Sequence, residues 1–132
     1  MTLIVDASIA VKWVADEPGS DHARSIFLAD ECWAPDLILA ELGNALWKKQ
    51  RAKLVSVEQA VAAMRALPAR MRLFENAALA PRAFAIAAEL DHPIYDCFYL
   101  ALAERERCAL VSADARLLRK RRMLKGIELR AL

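Results

Sequence analysis

Glycine is scarce in this chain, with three residues in 132, at Gly19, Gly43 and Gly126. There is no glycine-rich linker, internal repeat or low-complexity block, so nothing divides the sequence, and its length suits one domain spanning 1–132 with a real core. Histidine is scarcer still. His22 and His92 are isolated and the only two, which leaves a His-based metal centre or a Ser-His-Asp relay without foundation. Both are expected at surface or loop positions. Three cysteines, Cys32, Cys97 and Cys108, are odd in number and widely spaced, which excludes a disulfide framework or a zinc pattern. Cys97 and Cys108 are expected as small core residues, since free cysteine is often buried. No stretch of about 18 residues is apolar and free of charge. No basic segment leads into an apolar signal at the N-terminus, so the expected location is cytoplasmic, away from membranes.

What the chain does have is apolar residues, 58% of the total, arranged in short β-branched runs alternating with helical patterns. That alternation predicts an α/β fold, a single domain with a central, mostly parallel sheet of four to five strands and helices on both faces. The run Thr2 to Val5 predicts a buried strand that delivers Asp6 to its C-terminal end, with a helix following. Helices are expected over Ser20–Ala29, from Pro35-Asp36 through the basic residues after Trp47, over Ser56–Leu67 with Pro68 as the stop, and over Pro81–Leu90. Strands are expected near Cys32–Ala34, Met71–Phe74 and Ala109–Ser112, with Ile127–Leu129 as a terminal edge strand.

Four acids occupy places where chemistry could gather. Asp6 and Asp114 each follow an apolar strand, and open α/β sheets bind ligands beyond the carboxyl ends of their strands. Asp114 also suits an N-cap, and Asp6 also suits a strand-end turn, with Ser8 the better placed cap for the helix that follows. Glu41 lies too deep in its helix to be a cap. With Asn44 and Lys48 it forms a polar stripe at i, i+3, i+7, a pattern shared by a solvated face and a site-facing one. Asp96 opens the apolar helix of Phe98, Tyr99 and Leu102, where the macrodipole favours an acid. Core neighbours imply partial burial, which is costly for a carboxylate unless it is paired or metal-bound.

The net charge of +2 is too small to matter as a sum, but its distribution is uneven. Arg116, Arg119, Lys120, Arg121, Arg122 and Lys125 follow Asp114, while Lys48, Lys49, Arg51 and Lys53 follow Glu41. Both clusters flank the acids. They read either as ordinary solvated charge or as contacts for RNA phosphates, with Arg116, Arg119 and Lys120 the candidates. Trp13 and Trp47 are expected to serve packing or an interface.

The stretches Val5-Asp6-Ala7-Ser8, Ala34-Pro35-Asp36-Leu37 leading to Glu41-Leu42-Gly43-Asn44-Ala45-Leu46-Trp47, Tyr95-Asp96-Cys97-Phe98-Tyr99-Leu100-Ala101, and Val111-Ser112-Ala113-Asp114 resemble the PIN-domain ribonucleases. Within these, the resemblance is closest to VapC-type toxins of bacterial toxin–antitoxin pairs, and it extends over nearly the whole chain. The resemblance implies that Asp6, Glu41, Asp96 and Asp114 are the catalytic and metal-binding acids, with Ser8, Asn44 and Ser112 in support. Ser112 stands where the family often has Thr, and the hydroxyl is kept. Pro93 replaces the usual β-branched approach to Asp96, which makes any strand there short.

By the same resemblance the chain is expected to be an endoribonuclease using Mg²⁺ or Mn²⁺, hard ions that suit carboxylate oxygens. Its implied partners are RNA, a small cognate antitoxin whose C-terminal segment covers the groove, and a second copy in a homodimer. The apolar helices from Leu37 to Leu67 suit such interfaces, and they suit core packing equally. The alternatives are a PIN nuclease in RNA processing without an antitoxin, and an inactive PIN-like interaction module. Keeping four costly acids argues against the second. Phosphoaspartyl chemistry ranks low, because Asp6-Ala7-Ser8 lacks a second acid two residues on.

Overall fold

Leu3, Ile4 and Val5 are all buried, although successive side chains of a strand point to opposite faces, so the first strand is covered on both sides. The computed structural model describes residues 1–132. In chain order the elements are β1 (Thr2–Val5), α1 (Ala7–Val14), α2 (Ser20–Ala29), β2 (Glu31–Pro35), α3 (Leu37–Arg51), α4 (Val57–Arg70) and β3 (Arg72–Phe74). Then come α5 (Asn76–Leu90), α6 (Ile94–Glu106), β4 (Ala109–Ser112), α7 (Ala115–Leu118), a 3₁₀ turn at Arg121–Met123 and β5 (Leu129–Ala131). The five strands form one sheet in the order β3-β2-β1-β4-β5, and every pairing is parallel. The expected mostly parallel α/β sheet is present, with β5 as its edge.

This strand order has one functional consequence. From β1 the chain winds outward through β2 to β3, then returns to β4 on the other side of β1. The order therefore reverses between β1 and β4, and a reversal of this kind opens a crevice at the carboxyl ends of the strands. Val5 pairs with Val111, so Asp6 and Ser112 leave the sheet side by side at that crevice.

The helices pack in two groups, α1 with α2 and α3, and α5 with α6, the latter lying on β1, β2 and β4. Ile9, Ile38, Leu42, Leu79, Tyr99, Leu100, Leu102 and Leu110 are among the fully buried side chains that join them into one core. Two helix N-termini also hold each other. Asp36 Oδ1 accepts from Asn76 N–H at 3.2 Å, and Asn76 Oδ1 accepts from Leu37 N–H at 3.1 Å, which satisfies donors that a helix start leaves free. This exchange fixes where α3, and Glu41 with it, begins.

Several boundaries differ from expectation. Pro68 lies inside α4, which runs on to Arg70. Buried Leu67 and Met71 anchor the chain on either side of it, so packing keeps the last turn helical although Pro68 has no N–H to donate. Pro81 does not start α5. The helix begins at Asn76, because the tertiary exchange with Asp36 supplies a start that local preference does not reveal. No strand precedes α6, and β5 is Leu129–Ala131, beginning at the last residue of the expected span. Ser8 is not the cap of α1, since Asp6 holds that place and Ser8 lies in the first turn. Cys97 is buried as expected, but Cys108 is only half-buried. Trp13 packs and donates its indole N–H to the Ala23 carbonyl at 2.9 Å, while Trp47 is about half exposed with Arg51 stacked over its ring.

Candidate active site

Asp6 sits at the end of β1 and is only 3% exposed. As the N-cap of α1 its Oδ1 accepts from Ser8 N–H at 3.0 Å and also from the Ser8 hydroxyl. Ser8 Oγ in turn accepts from Ala113 N–H at 2.8 Å and lies 3.4 Å from Ser112 Oγ. One hydroxyl thus links the ends of β1 and β4. Ser112, fully buried, accepts from Asp114 N–H at 3.0 Å. Burial pushes the Asp6 carboxyl up to about 6 from its ordinary 3.8, the Ser112 and Ser8 hydroxyls oppose that rise, and the charge of Asp96 adds to it.

Asp114 caps α7, its Oδ1 accepting from Arg116 N–H at 2.8 Å and Leu117 N–H at 3.4 Å. The capping role is therefore real, and it leaves Oδ2 free. Glu41, half-buried on α3, accepts at Oε1 from the hydroxyl of Tyr99 at 2.6 Å. Desolvation raises the Glu41 carboxyl above its usual range, the Tyr99 bond opposes this, and the charges of Asp96 and Asp114 reinforce it. Burial beside this carboxylate also drives the Tyr99 phenol upward, so it stays a donor. Asp96, in the first turn of α6, meets His92 Nε2 at 2.6 Å through Oδ2.

A common pattern emerges. Four carboxylates from four different elements are each held by the protein through one oxygen, and the Ser112 hydroxyl also acts on Asp6. The charge of Asp96 is felt at both Asp6 and Glu41, and that of Asp114 at Glu41, so the four share one acidic region at the crevice. They do not close into a ready-made cage, for no three Asp, Glu, His or Cys side chains are gathered closely enough to hold one ion between them. This donor set suits Mg²⁺, which keeps several waters and is usually held by one or two carboxylates together with substrate phosphates.

His92 and Tyr99 are the residues that sequence reasoning missed. His92 occupies a loop, as expected, but it is buried and bonded to Asp96, and its Nδ1 is the one buried side-chain polar atom without a partner. The i, i+4 spacing of His92 and Asp96 was the available signal, and Tyr99 read only as a core residue. Asn44 is exposed and lines a shallow cavity with Glu41 and Tyr95. Among the basic candidates, Arg116 and Arg119 are exposed. Lys120 is half-buried and donates to the Leu90 carbonyl at 2.9 Å, at the end of α5, so its ammonium is engaged in a helix terminus.

The sequence model of the PIN domain family matches residues 3–123. This chain belongs to the PIN domain family. A relative named Ribonuclease VapC3, from Pyrobaculum aerophilum, is 32% identical over 124 residues, covering 91% of this chain and 95% of the relative. Ribonuclease VapC9 of Mycobacterium tuberculosis is 33% identical over 120 residues, 87% of each chain. Among solved structures, VapBC2 from Rickettsia felis bound to a promoter DNA fragment gives a TM-score of 0.71 at 16% identity and covers 100% of this chain and 99% of its own. At that identity the likeness is one of fold, and it agrees with the parallel five-stranded PIN architecture.

Proposed function

We propose that this PIN domain is a divalent-metal-dependent endoribonuclease, the toxin of a toxin–antitoxin pair, acting in the cytoplasm. The observation that carries this reading is the set of four carboxylates from four elements that act on one another through their charges, each held through one oxygen. The names of the VapC relatives support RNA as the substrate. The VapBC fold neighbours support an antitoxin as a partner, and a homodimer belongs to the same reading. No helix is long and apolar enough to cross a membrane.

Asp6, Asp96 and Asp114 would hold Mg²⁺ or Mn²⁺, directly or through water, with Glu41 completing the set. When bound, such an ion orients and activates water, offsets charge on the phosphate and assists the leaving 3′ oxygen. The residues themselves supply position. Ser8 keeps Asp6 in one orientation, Tyr99 pins Glu41, His92 pins Asp96, and the first turn of α7 pins Asp114. Held groups of this kind lose little freedom when substrate arrives. The half-buried Glu41, raised in pKa, is suited to accept a proton from the attacking water. Exposed Arg116 on α7, the helix that Asp114 caps, and exposed Arg119 at its C-cap are available to meet RNA phosphates.

The test is cleavage of a mixed RNA pool, including tRNA and rRNA, by antitoxin-free protein with Mg²⁺ or Mn²⁺ and with chelator. Cutting that requires the ion and is lost in Asp96→Asn is expected. A folded, ion-supplied wild type that leaves every RNA intact would refute the nuclease reading.

A further inference from the structure

Tyr95 is an exposed aromatic with no structural task. It sits in the first turn of α6, 60% exposed, and its hydroxyl bonds to no other residue. Its immediate neighbour is Asp96, whose side chain turns inward to His92. Tyr95 forms one wall of a shallow cavity of about 290 Å³, with Leu37, Ala40, Glu41 and Asn44 of α3 completing it. Among the exposed large hydrophobic residues, such as Trp47 and Phe84, Tyr95 alone shares a cavity with one of the four acids.

The chemistry of that lining is specific. An aromatic ring and the apolar side chains of Leu37 and Ala40 offer a flat, apolar surface, while the exposed Asn44 amide supplies a donor and an acceptor at its edge. The volume is at the small end of ligand pockets, which run from about 300 Å³ upward. No basic residue lines it, so it does not attract phosphate. Unpaired bases of RNA are recognised by stacking on aromatic rings and by hydrogen bonds at their edges. Resting on the nuclease reading above, we infer that this cavity is a nucleobase subsite. Tyr95 stacks on one unpaired base of single-stranded RNA, Asn44 bonds to its edge, and the adjoining phosphate is placed over the acids. Tyr95 is then a positioning and specificity residue, and double-stranded RNA, whose bases are not available for stacking, is disfavoured.

The experiment measures affinity and cutting separately on the full chain. Fluorescence anisotropy in chelator reports binding of a short single-stranded RNA, of its duplex, and of versions carrying one abasic nucleotide at successive positions. Cleavage mapping in Mg²⁺ reports kcat, KM and the cut sites. Tyr95→Ala should weaken single-strand binding and raise KM by roughly 5- to 150-fold, the range for one base–aromatic stack, with an unchanged thermal midpoint. Tyr95→Phe should keep the affinity. One abasic position should weaken the wild type but add nothing in Tyr95→Ala, which a merely structural role would not produce. Tyr95-dependent binding by a wild type that never cuts would leave the subsite standing and remove the nuclease reading. Normal affinity and unaltered cut sites in Tyr95→Ala, with a wild type that cuts, would remove the subsite and leave the nuclease. A wild type that binds no single-stranded RNA, or a variant impaired only in capturing a protein partner, would also overturn the inference.

Discussion

Replacing Asp6 by Asn should stabilise the ion-free protein, and the size of the effect follows from burial. The Asp6 carboxyl is raised from 3.8 to about 6, chiefly because folding removes it from water. Between those values the folded chain holds a proton that the unfolded chain has released, so the native state binds more protons and stability falls as pH rises through that window. Below about 4 the two states are protonated alike and the penalty vanishes; above about 6 it is complete. At about 1.4 kcal/mol per pH unit, the full penalty is about 3 kcal/mol. An Asn carries no charge at any pH, and both Ser8 bonds go to Oδ1, so an amide oxygen in the same place retains them. Urea unfolding of wild type and Asp6→Asn in excess chelator, from about pH 4 to about pH 8, isolates this group from all others. The variant should match the wild type at the acid end and exceed it by about 3 kcal/mol at the alkaline end. A difference that stays constant across the range, or a variant less stable at the alkaline end, would refute the claim that Asp6 is held against desolvation.

Divalent ion should close most of that gap at the alkaline end. Mg²⁺ at about 100 times its dissociation constant should stabilise the wild type by about 2.7 kcal/mol and Asp6→Asn far less, read from the same unfolding curves. Tyr99→Phe leaves the half-buried Glu41 without its donor; it should cost about 1–3 kcal/mol in stability and lower kcat or metal affinity about 10- to 100-fold, read by steady-state cleavage and Mg²⁺ titration. Ser8→Ala removes the link from Asp6 to Ala113 N–H and should destabilise by about 1–3 kcal/mol, measured by urea unfolding. Ser56→Ala, which breaks the capping box of α4, should cost about 1 kcal/mol and leave cleavage unchanged, giving a scale for loss of stability alone.

Much of this protein was legible in its residues. The β-branched run Thr2–Val5, the apolar Ala109–Ser112 and the helical patterns between them act through neighbours a few positions away, so the α/β alternation and the elements that carry Asp6, Glu41, Asp96 and Asp114 could be read directly. The same locality explains the errors. Pro68 and Pro81 are strong local punctuation, yet each lies inside a helix because packing and the Asp36–Asn76 exchange prevail.

Only the tertiary structure decided how the site is held. Ser8 joins two strand ends 105 positions apart in sequence, and Tyr99 reaches Glu41 across 58. His92 is withdrawn from the surface to hold Asp96, and Lys120 is drawn to the end of α5. The sequence alone determined which chemical groups exist and which segments carry them, since backbone preference and periodicity are local. Desolvation and hydrogen-bond geometry depend on atoms brought together from distant elements, and so the Asp6 carboxyl, unremarkable in the unfolded chain, acquires its raised pKa only when the sheet closes around it.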